Sequence, residues 1–252
     1  MGFAVCRSWP KLAVVRMAPR TIIVGDVHGC IAELERLFET LGATRDDRVV
    51  MVGDLVAKGP ESVAVMRLLR QMRAESVMGN HDASLLRHHR ARRDGESWDA
   101  SDAVKKIARK MNDEDWAWLE ALPYTIDLPA QGSVVVHAGL VPGVAIDRQK
   151  PDDMLTMRSI RADGTASKRL DEGRPWASLW VGPPHVYFGH DAVTGLQCHD
   201  HATGLDTGCV YGGKLTACVL PAREIVAVKA KRVYAEPGKA IAARHADESK
   251  KR

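Results

Sequence analysis

The chain has 252 residues, of which 45% are apolar and 27% charged, and this balance is typical of a single enzyme domain with a well-buried core. The formal net charge of +4 is too small to indicate general nucleic-acid binding, although it favours anionic substrates. No apolar run approaches the roughly 20 residues that a membrane-spanning helix needs, so we expect no membrane partner.

The cysteines and the N-terminus bear on the compartment. The five cysteines are odd in number, and none of them forms a C-x-x-C pair or the spacing of a zinc knuckle, which favours a reducing, cytoplasmic location. Residues 1–19 are set apart from the domain predicted at 20–234, because they carry Arg7, Lys11 and Arg16 but no acidic residue. That pattern resembles a mitochondrial presequence, and a loose extension is the alternative. We expect a monomer.

A pattern of strand, loop and helix opens the domain and then recurs. Residues 21–24 are a β-branched run before the segment GDVHGC, and residues 31–41 carry apolar side chains at helical spacing. Residues 48–52 are a second strand before the segment GDLVAKG, and Pro60 begins the helix that follows. A third strand at 76–78 leads into GNHD. Strands that alternate with helices over short connections predict a layered α/β fold.

The second half of the chain is less regular. Residues 87–122 are polar and charged, and we interpret them as a small helical cap inserted over the strand ends. Residues 133–136 and 186–188 are two further strands, each followed directly or after one glycine by a histidine. Residues 216–228 predict a closing hairpin after a glycine-rich turn, and residues 235–252 predict a charged, frayed tail.

Six polar residues follow the predicted strands closely enough to meet at one edge of the fold, namely Asp26, His28, Asp54, Asn80, His137 and His190. Any one of them alone would more often be a capping aspartate or a core histidine. Together, their nitrogen and oxygen donors without thiolate favour two divalent metal ions such as Mn, Co, Fe or Zn. In two-metal hydrolases the ions lie roughly 3.5–4 Å apart, so that one carboxylate and one hydroxide can bridge both and the hydroxide attacks phosphorus in line, without a phosphoenzyme.

The six residues divide between the two predicted ions. We assign the bridge to Asp54, the first ion to Asp26 and His28, and the second ion to Asn80, His137 and His190.

Other residues are suited to bind and protonate a phosphorylated substrate. His81 is the candidate general acid, because histidine titrates near neutral pH. Lys58 and Arg158 are candidates to hold the non-reacting phosphate oxygens. Tyr211 is a candidate to stack on a nucleobase, although a buried core position is the simpler interpretation of it.

A basic run at 87–93 is followed by the cations Lys105, Lys106, Arg109 and Lys110. Such a run is ordinarily the solvated surface of a helix. The functional alternative is a basic rim that steers a polyphosphate chain towards the site.

The motifs resemble those of the metallophosphoesterases. The segments GDVHG at 25–29, GDLVAKG at 53–59, GNHD at 79–82 and HAGL at 137–140, with the late His190, follow the pattern of the phosphoprotein-phosphatase superfamily. Within it the chain resembles the ApaH-like phosphatases, which are related to symmetrical bis(5′-nucleosyl)-tetraphosphatase. The resemblance implies a four-layer αββα calcineurin-like sandwich and the hydrolysis of diadenosine tetraphosphate to two ADP. It also implies RNA caps or polyphosphate as related phosphoanhydride substrates.

One departure from the superfamily pattern separates this chain from the protein phosphatases. Ala57 stands where those enzymes have the aspartate that pairs with the catalytic histidine, and Asp82 and Asp191 are the candidates to replace it. Lys58 stands where the usual residue is arginine, so the charge is kept without the bidentate fork. A protein serine/threonine phosphatase and a non-catalytic scaffold of the same fold are the alternative functions. A scaffold should have lost His81 or a metal ligand, whereas this chain has all of them.

Overall fold

The computed structural model describes residues 20–97 and 99–250, and the predicted N-terminal extension at 1–19 lies outside them. In the described ranges the helices are α1 Ile31–Leu41, α2 Ser62–Gln71, α3 Asn80–Arg93, α4 Asp102–Lys110, α5 Asp113–Glu120, α6 Pro151–Thr156 and α7 Lys239–Lys250. The strands are β1 Thr21–Val24, β2 Arg48–Met51, β3 Glu75–Ser76, β4 Thr125–Leu128, β5 Ser133–Val136, β6 Ser159–Ile160, β7 Ala166–Ser167, β8 Arg174–Pro175, β9 His185–Phe188, β10 Gln197–Cys198, β11 Ala202–Gly204, β12 Lys214–Leu220 and β13 Glu224–Lys229.

Two five-stranded sheets form the centre of the domain. The first has the order β13-β12-β1-β2-β3, in which β1, β2 and β3 run parallel and β12 is antiparallel to β1. The second has the order β10-β11-β9-β5-β4, in which β5, β9 and β11 run parallel. A small separate sheet has the order β7-β6-β8. The carboxyl ends of the parallel strands lie at one edge of each sheet, where loops can bring polar side chains together.

The alternation of side chains along β1 shows how the layers are built. Ile22 and Val24 lie in an apolar cluster shared with α1 to α5, whereas Ile23 lies in the cluster between the two sheets, which also contains Tyr187. On the outer face of the second sheet, α6 and Trp176 cover β5 and β9. The predicted sandwich of two sheets between helical layers is confirmed, and its outermost layer on this side is thin.

The segment predicted at 87–122 is helical, but its first helix begins earlier. α3 starts at Asn80 and continues to Arg93, and α4 and α5 follow before the chain returns in β4. Trp116 of α5 is buried and stacks on His89, with ring centroids 3.9 Å apart. Asp115 of α5 accepts hydrogen bonds from Arg67 and Arg70 of α2 at 2.8 and 3.0 Å. These contacts fix the segment against the main helical layer.

Two other expectations about helices need correction. α2 begins at Ser62, so Pro60 belongs to the loop before it and does not begin the helix. The tail was expected to be frayed, but α7 spans Lys239–Lys250 and its Ile241 is buried. Arg244 of α7 donates hydrogen bonds to the backbone oxygens of Ala192 and Thr207 at 3.2 and 3.3 Å. None of the described helices is long and apolar enough to cross a lipid bilayer.

Candidate active site

The loops that follow the parallel strands meet at one edge of the sandwich, as the sequence predicts. β1 is followed by His28, β2 by Asp54, β5 by His137 and β9 by His190, and α3 begins at Asn80 just after β3. His28, Asp54 and His190 have positive φ values of 44°, 51° and 66°. For residues other than glycine this conformation costs roughly 1–3 kcal/mol each, and such strain is concentrated at functional sites.

Two glycines make the close approach of these loops possible. A Cβ on Gly79 would collide with the backbone nitrogen and the carboxylate of Asp54, and a Cβ on Gly189 would collide with the carboxylate of Asp26. Each glycine belongs to a different loop from the aspartate that it contacts. The loops therefore hold the two carboxylates in place by direct contact.

A first group of possible metal ligands contains His28, Asp54 and His81. The Nδ1 of His28 lies 3.0 Å from the backbone oxygen of Val56 and donates to it, which leaves the lone pair on Nε2. That Nε2 lies 3.4 Å from Oδ2 of Asp54 and accepts a hydrogen bond from Nζ of Lys58 at 3.0 Å. A positive charge is therefore already held beside the donor atoms of this group.

A second group is built on the other oxygen of Asp54, with His137 and His190. Nε2 of His137 lies 3.5 Å from Oδ1 of Asp54 and 3.1 Å from Oδ1 of Asn80. The outer nitrogens, Nδ1 of His137 and Nε2 of His190, donate to the backbone oxygens of Val52 and Thr156 at 2.8 and 3.2 Å.

The tautomers and the shared carboxylate fit a binuclear metal centre. Backbone acceptors fix both histidines of the second group so that a lone pair faces Asp54 and Asn80, as is usual for metal-binding histidines. Asp54 is the residue that both groups share, as expected for a bridging ligand.

Asp26 lies beside the groups and is held by the backbone. Its two carboxylate oxygens accept the backbone N–H of His190 at 3.1 and 3.2 Å. Burial, Asp206 and Asp54 raise the pKa of Asp26. The crowding of buried carboxylates at this place is unfavourable without a nearby positive charge.

The protonation states suit cation binding. Burial disfavours the charge on Asp54, but electrostatic interactions with His137, His28, His81 and Lys58 outweigh it and hold the pKa of Asp54 below its usual range. Burial lowers the pKa of His28 to about 3 and also lowers the pKa values of His137 and His190. At neutral pH the site therefore offers an ionised carboxylate and neutral imidazoles, which are the forms that bind metal ions.

A cavity of about 270 Å³ opens beside these groups. The predicted substrate-binding residues Lys58, Arg158 and Tyr211 line it together with His81. The ammonium group of Lys58 lies 5.3 Å from the centre of the Tyr211 ring. Arg158 donates to the backbone oxygens of Lys168 and His190 at 2.9 and 3.3 Å, which fixes its guanidinium at the cavity wall. The structure thus brings all ten predicted site residues to one place.

The residue that replaces the aspartate missing at Ala57 is neither of the two candidates. Asp82 is buried and accepts the backbone N–H groups of Leu55, Val56 and Gly79, so it holds the loops together. Asp191 is engaged by the side chains of Thr194 and Gln197.

His81 is positioned instead by its own backbone and by a neighbouring ring. Its N–H donates to Oδ1 of Asp54 at 2.9 Å, and its ring stands edge-on to that of His28 with centroids 5.1 Å apart. Burial lowers the pKa of His81, and the charge of Asp54 opposes this effect.

Sequence reasoning missed four wall residues of the cavity. Asp206 is buried, accepts the N–H of Gly208 at 3.0 Å, and has a pKa raised to about 6 by burial. Asp206 lies just after the end of β11, as Asp26 lies just after the end of β1. This position after a strand is the signal that could have identified Asp206 from the sequence. The apolar part of the wall is formed by Ala192, Val193 and Ile241. Nothing in the local sequence marks any of them.

Comparisons with known proteins agree with this geometry. Residues 19–220 match the calcineurin-like phosphoesterase family. The symmetrical bis(5′-nucleosyl)-tetraphosphatase of Chromohalobacter salexigens is 31% identical, and the match covers 81% of this chain and 96% of that protein. The asymmetrical bis(5′-nucleosyl)-tetraphosphatase PrpE of Oceanobacillus iheyensis is 28% identical, and the match covers 84% of this chain and 93% of that protein.

Solved structures show the same architecture. A crystal structure whose proposed identity is a diadenosine tetraphosphatase is 42% identical, with a TM-score of 0.77, and the match covers 85% of this chain and 95% of that one. A protein serine/threonine phosphatase from Saccharomyces cerevisiae is 16% identical, with a TM-score of 0.54 over 88% and 82% of the chains. At that identity the likeness concerns the fold alone.

Proposed function

Since the chain belongs to the calcineurin-like phosphoesterase family, we propose that it is a metal-dependent hydrolase of dinucleoside polyphosphates that converts diadenosine tetraphosphate to two ADP. The observation that carries the proposal is the pair of ligand groups that share Asp54 at the floor of a cavity lined by Lys58 and Arg158. Such a site combines metal ligands with fixed cations, as phosphoryl transfer requires.

The family implies divalent metal ions, and the two ligand groups that share Asp54 offer places for them. Asp26, His28 and Asp54 would hold one ion, and Asp54 with Asn80, His137 and His190 would hold the other. Ions bound there would activate water and neutralise charge on the phosphoryl group. The mixed nitrogen and oxygen donors favour Mn, Co, Fe or Zn over Ca.

The other side chains act on the substrate directly. Lys58 and Arg158 bind the non-reacting phosphate oxygens and orient the phosphorus atom towards Asp54. His81 protonates the oxygen that leaves, because it lines the same cavity. Tyr211 packs beside Lys58 and limits the space around the phosphate chain.

The substrate class is supported by the relatives and by Ala57. Relatives named for dinucleoside tetraphosphate hydrolysis match over most of their length, whereas the match to a protein serine/threonine phosphatase supports the fold alone. This chain has Ala57 at the position where protein phosphatases have the aspartate that pairs with the catalytic histidine. Because the relatives include symmetrical and asymmetrical enzymes, the position of cleavage is a separate part of the proposal.

The test is a product assay on the wild-type protein with Mn, Co, Mg and Zn. The substrates are diadenosine tetraphosphate, a capped dinucleotide, polyphosphate and a phosphopeptide. We expect diadenosine tetraphosphate to be turned over best and to give two ADP, whereas ATP with AMP would refute symmetrical cleavage. His28→Ala should lose metal and nearly all turnover. A phosphopeptide as the best substrate would refute the substrate class, and no turnover of any substrate would favour the scaffold.

A further inference from the structure

A second cavity lies directly beside the active-site cavity and shares Lys58 with it. It has a volume of about 410 Å³ and lies between residues 58–63, which join the ligand loop to α2, and helix α4. We call it the α4 groove, and its lining includes Pro60, Val63, Ile107, Lys106, Arg109 and Lys110. Nothing in the mechanism proposed above uses it.

The volumes of the two cavities indicate which parts of a dinucleoside polyphosphate each can hold. Small-molecule sites typically have volumes of roughly 300–1,000 Å³. The active-site cavity, at about 270 Å³, lies just below this range, while the α4 groove lies within it. The active-site cavity is therefore too small for the phosphate chain together with both nucleosides of a dinucleoside polyphosphate. A dinucleoside polyphosphate must extend beyond it, and the α4 groove is the adjoining space.

The lining of the α4 groove combines an apolar floor with unpaired cations and one acidic residue, Glu61. Val63 is buried and Ile107 is partly buried, so the floor is fixed by the core beneath it. Lys106 and Arg109 are exposed at the rim, and neither has a carboxylate partner in the part of the chain that the structure describes. An apolar surface bordered by cations is complementary to a nucleoside that carries phosphates.

We propose that the α4 groove binds one nucleoside of the substrate, with its base against Pro60 and Ile107 and its phosphates beside Lys106 and Arg109. Lys58, which lines both cavities, then contacts the phosphate chain where it passes from one to the other. This inference rests on the proposed function and adds a nucleoside subsite to it. Lys106 and Arg109 of α4 thereby acquire a binding role.

The experiment compares two double variants with the same change in net charge. Lys106→Glu/Arg109→Glu reverses the rim of the groove. Arg92→Glu/Lys105→Glu, the control, reverses two cations that flank His88 and do not line the groove. We expect the groove variant to raise KM for diadenosine tetraphosphate at least tenfold with little change in kcat, while the control stays within twofold of wild type. Equal thermal midpoints establish that both variants are folded.

Two further substrates separate nucleoside binding from general attraction of anions. p-Nitrophenyl phosphate fits within the active-site cavity, and its KM should be the same in both variants. Tripolyphosphate carries charge without a nucleoside, and the rise in its KM should be several times smaller than that for diadenosine tetraphosphate. An unchanged KM for diadenosine tetraphosphate in the groove variant would overturn the proposal, and so would an equal rise for tripolyphosphate.

A binding measurement keeps this inference distinct from the proposed function. Fluorescently labelled ADP is titrated into the metal-loaded wild-type protein and both variants. If diadenosine tetraphosphate is not hydrolysed, the proposed function fails, yet a loss of ADP affinity confined to the groove variant would still support the subsite. ADP affinity that is equal in all three proteins would overturn the subsite even if hydrolysis is observed.

Discussion

Replacing Gly79 by alanine tests the idea that direct contact between loops positions the bridging aspartate. Gly79 has φ −90° and ψ 166°, which alanine adopts without strain, so the effect is one of space alone. The added Cβ would collide with the backbone nitrogen and the carboxylate of Asp54. Overpacking of this kind costs about 1–3 kcal/mol, and relief requires Asp54 to move. A displacement of about 1 Å at a catalytic group lowers turnover on the order of 100-fold.

The assay measures kcat for diadenosine tetraphosphate, metal content and urea unfolding in Gly79→Ala. The matched control is Gly238→Ala, because a Cβ at Gly238 would meet no heavy atom within 4 Å. We expect the control to equal wild type, and Gly79→Ala to lose metal, turnover and about 1–3 kcal/mol of stability. Wild-type turnover and metal content in Gly79→Ala would refute the reasoning.

Three other predictions follow from the described contacts. Chelation should abolish turnover and lower the thermal midpoint, because ions held at 100 times their Kd stabilise the fold by about 2.7 kcal/mol; calorimetry with and without Mn measures this. His81→Asn should slow an alkyl phosphate roughly 10²–10⁴-fold, but an activated aryl phosphate far less, since only the poor leaving group needs a proton. Asp115→Asn should destabilise the protein at pH 7 by about 1–3 kcal/mol, because it weakens buried hydrogen bonds from Arg67 and Arg70.

The Asp115 prediction has a defined pH dependence. Burial disfavours the ionised form, but hydrogen bonds from Arg67 and the backbone of Asn112 outweigh it and lower the pKa of Asp115. Its stabilising effect is therefore fully present above the unfolded pKa of about 3.9 and is lost as the pH falls through the lower folded value. Urea unfolding should show that the difference in the free energy of unfolding between wild type and Asp115→Asn narrows below pH 4. A difference that stays constant with pH would contradict the stabilising role of the ionised Asp115 carboxylate.

The other two predictions have their own contrary outcomes. Full activity after exhaustive chelation, with no metal remaining by elemental analysis, would contradict the metal-dependent mechanism. An equal loss on both phosphate esters in His81→Asn would mean that His81 acts on binding or on the metal ligands and not as the acid.

The ligand loops could be predicted because each one follows a short β-branched run at a chain position typical of a parallel strand. Asp54 and His190 therefore lie where the sequence places them. The sequence left the partner of His81 open between Asp82 and Asp191. In the structure both carboxylates accept hydrogen bonds from other loop residues, and these contacts depend on how distant segments fold together. Such contacts leave no pattern along the chain.

The tail shows the other limit of sequence reasoning. α7 has Ile241 as its buried apolar contact and is otherwise held through the guanidinium of Arg244 on backbone oxygens. Neither feature produces a helical period of apolar residues, so the sequence of this segment predicts a frayed, charged end. The strands of the small sheet have two residues each, which is too short for an alternating pattern.

The hydrogen bond from His190 to Asp26 joins residues 164 positions apart. Because the ribosome makes the chain from its N-terminus, β1, β2 and β3 leave it well before β9. The nascent protein therefore carries Asp26, Asp54 and Asn80 for some time without the second sheet that completes their surroundings. An ion held by Asp54, His137 and His190 could therefore bind only after β5 and β9 have joined the fold, whereas His28, Asp54 and His81 all come from the part of the chain that is made first.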